Sequence, residues 1–413
     1  MAEGSSPASG RAASPAGWGL VGALGVTQIV SWGSLYYAFP LLLAPIEQEL
    51  GWHRASVVGA FSLSLLIAGV AAIPAGIAID RFGGRAPMAW GSLTAAVLLA
   101  LLSRTESLAM FYALWAGLGL CMAATLYEPA FAVIYRSFGT DARKAVTALT
   151  LVAGFASTVF WPFTEWLVAG LGWRDALTVL AALNLLVCWP LHQFALPAPA
   201  RAGLSAHRHH WKAGEHAAAP WRSSGFWLLA VVFAANMLAF AVLSVHLIPL
   251  LVERGLSTAQ AAALAALVGP LQVAGRVVEY AFGRRFSAAA AGMTALVLLP
   301  AGLLLMIAGG ASFVVLGAGL ALYGASNGVM TIVRAVVPAE LYGRERYATL
   351  NGALSVPVIL TRAAGPVAAS FLWSATGGYA GTLWALVLAS VLAVVAFGLA
   401  MRSRPARVEV EAL

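Results

Sequence analysis

Two arginines, Arg276 and Arg362, stand inside long apolar stretches of this chain, where a permanent charge needs a carboxylate partner, a water-filled cavity or an anionic ligand. A guanidinium is suited to an anion because its planar fork can grip a carboxylate with two parallel hydrogen bonds. For Arg276 the competing reading is an ion pair with Glu279, three residues on. Gln272 precedes Arg276 by one helical turn. His246 lies in Ser244-Val245-His246-Leu247-Ile248-Pro249, where an imidazole can carry a proton or donate to a carboxylate, or simply sit in the core. Tyr127-Glu128-Pro129 is a polar break in another apolar run. Its Glu128 is a candidate proton carrier, or a partner for an arginine elsewhere. Asn327, with Asn236 and Tyr323, adds hydrogen-bonding capacity that also serves as glue between helices.

The elements that position these residues are membrane helices. Of 413 residues 61% are hydrophobic and 10% charged, against roughly 25% charged in a soluble domain, so lipid is the main solvent. Taking about 20 apolar residues per crossing, the sequence predicts twelve spans, at about 17–45, 53–78, 86–104, 107–135, 143–169, 174–196, 224–252, 258–283, 287–308, 311–338, 346–373 and 378–401. Arg276 then lies about 9 Å from the middle of its span at 1.5 Å per residue, and Arg362 close to the middle. Most of the 24 basic residues fall on the side that carries both termini, and only Arg54, Arg104, Arg174 and Arg254 fall in loops of the other side. By the positive-inside rule both termini are expected in the cytoplasm. The charge of +8 is thus a topology signal, and nucleic acid is not an expected partner.

The longest polar interruption, 197–223, divides the chain into bundles at 17–196 and 224–401, with short tails at 1–16 and 402–413. It reads as a flexible cytoplasmic linker. Its His207, His209, His210 and His216 lack acidic or thiol companions at a fixed spacing, so no metal is expected. The first sixteen residues lack the order of a secretory signal and read as a tail. Cys121 and Cys188 sit in apolar spans and read as buried thiols. The halves echo each other: Ile134-Tyr135-Arg136 ends the fourth span as Ile332-Val333-Arg334 ends the tenth.

The loop after the second span reads Gly76-Ile77-Ala78-Ile79-Asp80-Arg81-Phe82-Gly83-Gly84-Arg85. Gly76 would permit close approach of a neighbouring helix, Asp80 would end its helix where a cation can pair with it, and Gly83 would let the loop turn. Arg81 and Arg85 complete a charged latch of the kind that closes and releases one side of a carrier. Gly283-Arg284-Arg285-Phe286, at the matching place in the second half, lacks the acid. The segment resembles the loop signature of the major facilitator superfamily. That resemblance covers about Trp18 to Met401 and implies an all-α membrane protein, with twelve transmembrane helices in two six-helix bundles and a central substrate site.

Within the superfamily, Leu50-Gly51-Trp52-His53-Arg54, Trp32-Gly33-Ser34-Leu35-Tyr36-Tyr37 and His246-Leu247-Ile248-Pro249 resemble the monocarboxylate transporter and oxalate:formate antiporter branch. The resemblance implies that Tyr127, His246, Gln272 and Arg276 surround a carboxylate; from the residues themselves Arg362 is expected as a second positive group, Asn327 as a further contact, and Glu128 or His246 as the proton site. Gln272 stands where some members carry an aspartate, which puts coupling through that position in doubt. The expectation is a secondary transporter of a small organic anion, a monocarboxylate, driven by protons, acting as a monomer in a bacterial inner membrane and needing no cofactor. Efflux of drugs, metabolites or metalloids is the alternative, and a receptor without turnover is a more distant one. No nucleophile with its base, phosphate loop or metal set suggests an enzyme.

Overall fold

A segment in hydrocarbon must satisfy its backbone internally, and this chain does so as helices throughout its described length. The computed structural model describes residues 15–138, 141–198, 223–282, 287–342 and 347–402, with the backbone alone at 15–16, Asp80, Arg143, 280–282, Ala335, Ala339 and 347–352. Most of the N-terminal tail, the linker with its histidines, Gly283 to Phe286 and nearly all of the C-terminal tail lie outside the described residues.

The helices are α1 (Pro15–Trp32), α2 (Phe39–Leu50), α3 (Arg54–Phe82), α4 (Arg85–Leu102), α5 (Leu108–Thr125), α6 (Tyr127–Phe138), α7 (Ala142–Ala153), α8 (Ala156–Leu183), α9 (Ser224–Glu253), α10 (Thr258–Ala266), α11 (Val268–Phe282), α12 (Ala288–Ala308), α13 (Phe313–Tyr342), α14 (Tyr347–Thr376) and α15 (Ala380–Arg402). They form 11 continuous apolar stretches. One of these, Lys144–Ala195, has 52 residues, about twice what a bilayer needs, and it reverses at Gly172, whose φ of 78° and ψ of 166° break the helix. Counting that stretch as two gives the twelve crossings expected from the sequence. We call the side where α3 ends and α4 begins the terminal face, because twelve crossings return both chain ends to it, and the opposite side the far face.

Several crossings are interrupted, and each interruption has an identifiable cause. The first carries a π-helical turn at Gly33–Tyr37 between α1 and α2, and Gly33 is pressed so closely on the Phe160 ring that a side chain there would collide with it. The fourth crossing breaks at Leu126, between α5 and α6. Pro129 has no N–H to offer the Thr125 carbonyl, and the amide of Gln28 fills the gap, donating to Thr125 O at 2.7 Å and Leu126 O at 3.3 Å. The eighth crossing uses the same device: Pro270 leaves the Ala266 carbonyl without a helical donor, and the Thr158 hydroxyl donates to it at 2.9 Å. Thr158 belongs to the first half and Ala266 to the second.

The apolar cores show how the halves meet. Toward the terminal face each half keeps its own core: one is built from residues such as Leu24, Met88, Ile134 and Leu149, the other from Phe233, Leu296, Val333 and Phe397. Toward the far face the cores interpenetrate, since Val245 and Ala363 of the second half join the first-half core while Leu41 and Trp161 join that of the second. A Cβ on Gly269 would lie 2.7 Å from the Gly154 carbonyl, so the halves cross there at backbone contact. The halves therefore share their core toward the far face, where a cavity of about 510 Å³ lined by Leu41, Arg54, Glu165, Glu253 and Trp373 also lies between them. Apolar side chains such as Val70, Ile73, Trp90 and Leu186 stay exposed, as a lipid-facing surface requires.

Candidate functional site

The π-turn of the first crossing aims Tyr36 and Tyr37 toward the interface of the halves, next to Trp32 at the end of α1. Ring centres in this group lie 5.3 Å apart for Trp32 and Tyr36, 5.1 Å for Trp32 and Tyr127, and 5.4 Å for Tyr37 and Trp161. Tyr127 opens α6 at the proline-induced break and stacks on Phe131, with ring centres 5.3 Å apart. These rings form an aromatic wall on the first half.

The second half presents two guanidinium groups to that wall. The Arg362 guanidinium lies over Trp32 and Tyr36, 5.7 and 5.5 Å from the ring centres. The charge of Arg276 acts on the Tyr127 and Tyr37 hydroxyls, and that of Arg362 on those of Tyr36 and Tyr37. Among the described residues no carboxylate lies within 4.0 Å of either arginine; in particular the pair of Arg276 with Glu279 does not form. The Nε atoms of Arg276 and Arg362 and the indole nitrogens of Trp32 and Trp161 are buried hydrogen-bond donors without an acceptor. Buried donors are ordinarily paired, so an acceptor-rich group between the halves would satisfy them.

Gln272 lines a small interface cavity of about 10 Å³ with Tyr37, Trp161, Ser244 and Tyr323, room for about one water. Asn327 sits where α11 and α13 cross at backbone contact, since Gly328 abuts the Gln272 carbonyl and a Cβ on Gly275 would lie 2.7 Å from Ala325 O. Glu128 is exposed in the first turn of α6 and forms no ion pair with a described arginine.

His246 is fully buried, its Nδ1 is 2.8 Å from the Tyr379 hydroxyl, and its Nε2 is 2.9 Å from the Pro366 carbonyl. Both ring nitrogens are engaged within the second half. In this conformation a ligand could engage His246 only by displacing one of these partners, because a neutral imidazole holding two partners has no lone pair or N–H to spare.

In the loop after α3, Gly83 has a φ of 75° and its N–H caps the Ile79 carbonyl at 2.8 Å, so the expected sharp turn is present. The Arg136 guanidinium at the end of α6 donates to the same carbonyl at 2.9 Å. Arg81 lies over the Phe82 ring at 5.2 Å, and Arg85 has its Nε buried without a partner. Among the described residues nothing lies within 4 Å of a Cβ placed on Gly76. Gly84 is the glycine pressed on a neighbour, Val133.

The residues least legible in advance were Trp32, Tyr36, Tyr37 and Trp161, apolar-span aromatics of a kind that cores also use, and Arg54, which reads as a loop charge. Their one signal is the crowding of aromatics in Trp32-Gly33-Ser34-Leu35-Tyr36-Tyr37.

Among known structures the chain is similar to a bacterial homologue of the human lysosomal transporter Spinster in an inward-facing, unoccupied conformation, at 16% identity and a TM-score of 0.70, covering 95% of this chain and 98% of that one. It is also similar to the nucleoside transporter NupG, at 16% identity and a TM-score of 0.72, covering 94% and 100%. At such identity the likeness is one of fold. No curated protein matches the sequence. The profile of the Major Facilitator Superfamily matches residues 24–299, more than half of the chain, and with the twelve crossings in two bundles this makes the protein a multi-pass member of the Major Facilitator Superfamily, a transporter that works by alternating access.

Proposed function

We propose that the protein carries a small organic anion, a carboxylate, across a bacterial inner membrane, with both termini in the cytoplasm and with protons as the driving ion. The observation that supports this best is the set of four buried donors, Arg276 Nε, Arg362 Nε, Trp32 Nε1 and Trp161 Nε1, gathered without an acceptor around an aromatic wall. A carboxylate is acceptor-only and supplies lone pairs to several of them at once. Neutral substrates would leave two guanidinium charges uncompensated at membrane depth, a cost of a few kcal/mol each. A monocarboxylate would engage one arginine and leave the other to set the field, whereas a dicarboxylate would engage both, so the test must include each class.

In this reading Arg276 and Arg362 clamp the anion, Tyr127 and Gln272 donate to it, and Asn327 supports Gln272 from the adjoining helix. Glu128, exposed beside Tyr127, carries a proton. The loop from Gly76 to Arg85 closes the terminal face when the halves rock the other way. The test is ligand-induced thermal stabilisation of the purified protein with lactate, pyruvate and succinate. At least one should raise the melting temperature of the parent protein and not of Arg276→Gln or Arg362→Gln. Equal stabilisation of the parent and both variants would remove the two arginines from the site.

A further inference from the structure

At the far face a chain of polar contacts crosses from one half to the other, beside the cavity between them, and ends on His246. Arg54, at the start of α3, is gripped by Glu47 of α2, with Nε to Oε1 at 2.9 Å and Nη2 to Oε2 at 3.0 Å. From there it reaches into the second half. Its Nη1 donates to the Tyr379 hydroxyl at 3.2 Å, and its guanidinium stacks on Trp373, 3.9 Å from the ring centre. Glu253 of α9 fixes both partners, accepting from the Trp373 indole and from the Tyr379 backbone N–H, each at 2.8 Å.

The proton positions in this chain follow from its chemistry. A carbonyl can only accept, so Nε2 of His246 carries the hydrogen that bonds Pro366 O, and in the neutral ring Nδ1 must then accept. The Tyr379 hydroxyl donates to Nδ1 while its oxygen receives Arg54. The charged and titratable groups around His246 are Arg54 from α3, with Glu47 behind it, Tyr379 from the loop before α15, Glu253 from its own helix, Tyr36 bonded to Ser244, and Arg362 of α14, one turn before Pro366. Among the described residues α10 has no charged side chain, and those of α13 and α15, Arg334, Glu340 and Arg402, lie toward the terminal face.

We propose that His246 is the proton-operated release of the far-face gate: a proton on Nδ1 reverses the Tyr379 hydrogen bond and detaches Arg54 from the second half. An imidazolium donates from both nitrogens, so the tyrosine oxygen would have to accept from it. The hydroxyl hydrogen then loses its acceptor, and the tyrosine oxygen has to share its lone pairs between two cations, which weakens its hold on Arg54. A second buried cation is also placed beside Arg54, whose carboxylate partner is already engaged. Tyr36 and Ser244, hydrogen-bonded at 2.7 Å across the halves, and Thr158 with Ala266 O remain as the weaker neutral contacts that must part with the gate. Because α14 carries Arg362 one turn before Pro366, the element that holds the proposed anion also holds the carbonyl that orients the histidine.

The inference deepens the proton coupling proposed above and rests on that sidedness, in which the far face meets the outside. Its test needs no substrate, so its failure is separate from failure of the anion reading. Spin labels at Glu106 and Ser312, exposed in far-face loops of the two halves, report the gate by pulsed dipolar distance measurement; both native cysteines are buried and take no label. Lowering the pH across the imidazole range, from about 8 to about 5, should raise the longer-distance population several-fold in the parent protein. In His246→Gln that response should vanish. Tyr379→Phe, which removes only the hydroxyl, should be open to a similar extent at either pH. An unchanged pH response in His246→Gln, or a Tyr379→Phe protein as closed as the parent, would overturn the proposal. If His246→Gln does not insert, Tyr379→Phe decides alone.

Discussion

Replacing Thr158 with valine tests the claim that a proline in one half is completed by a side chain of the other. The substitution keeps the shape and deletes the hydroxyl that donates to Ala266 O at 2.9 Å. Because Pro270 has no N–H, no helical donor can take its place, and the closed state retains a carbonyl stripped of its partner. A single hydrogen bond between membrane helices contributes about 0.6–2 kcal/mol, and a buried acceptor left unmet costs about 1–3 kcal/mol. When the far face opens, α8 and α10 separate and the bond is lost in the parent protein as well, so the penalty falls on the closed state alone. A shift of about 1–2 kcal/mol changes the closed-to-open ratio by a factor of about 5–30. Labels at Glu106 and Ser312 would show it as growth of the longer-distance population at fixed pH. Thr158→Ser, which restores the hydroxyl, should return the distribution to that of the parent. Equal shifts in the valine and serine variants would refute the hydrogen-bond argument and point to packing instead.

Three further outcomes follow from the same geometry. Gln28→Leu should lower the thermal stability of the whole protein, by about 1–3 kcal/mol in denaturation, because it strips the Thr125 carbonyl that Pro129 leaves open; an unchanged melting curve would mean that another donor replaces the amide. Gly269→Val should push α11 from α8, since even a Cβ would lie 2.7 Å from Gly154 O. It should favour the far-open state, and a distance distribution like that of the parent would show that the helices can slide apart without separating the halves. Trp32→Phe keeps the ring against Arg362 but deletes a buried N–H, and should weaken anion-induced stabilisation by about 3- to 10-fold in affinity, the equivalent of about 1 kcal/mol. Unaltered affinity would take the indole nitrogen out of the site.

The twelve crossings were legible because a bilayer demands runs of apolar residues, and the observed helices begin and end within a few residues of the expected spans. The breaks were partly legible as well. Pro129 and Pro270 announce orphaned carbonyls, but which side chains answer them depends on contacts such as Gln28 to Thr125, 97 positions apart. Arg276 and Arg362 were conspicuous from the cost of intramembrane charge. The aromatic wall was not, because tryptophan and tyrosine in an apolar run look the same whether they face a neighbour or a ligand. Arg54 was counted as a topology charge, and nothing local in His53-Arg54 shows that it reaches Tyr379, 325 positions later. His246 was noticed for its titration range, and its burial against Tyr379 and Pro366 is a fact of tertiary packing that periodicity does not carry.

The central claim is that two arginines of the second half hold a carboxylate during transport. Uptake of labelled lactate, pyruvate and succinate into proteoliposomes under an imposed inward proton gradient tests it most directly, with Arg276→Gln and Arg362→Gln reconstituted in parallel. The account predicts gradient-driven uptake of at least one acid by the parent protein, competed by other carboxylates, and loss of that uptake in Arg276→Gln with membrane insertion intact. Carboxylate uptake at the parent rate in Arg276→Gln would contradict it, as would a parent protein that moves nucleosides and ignores every carboxylate offered.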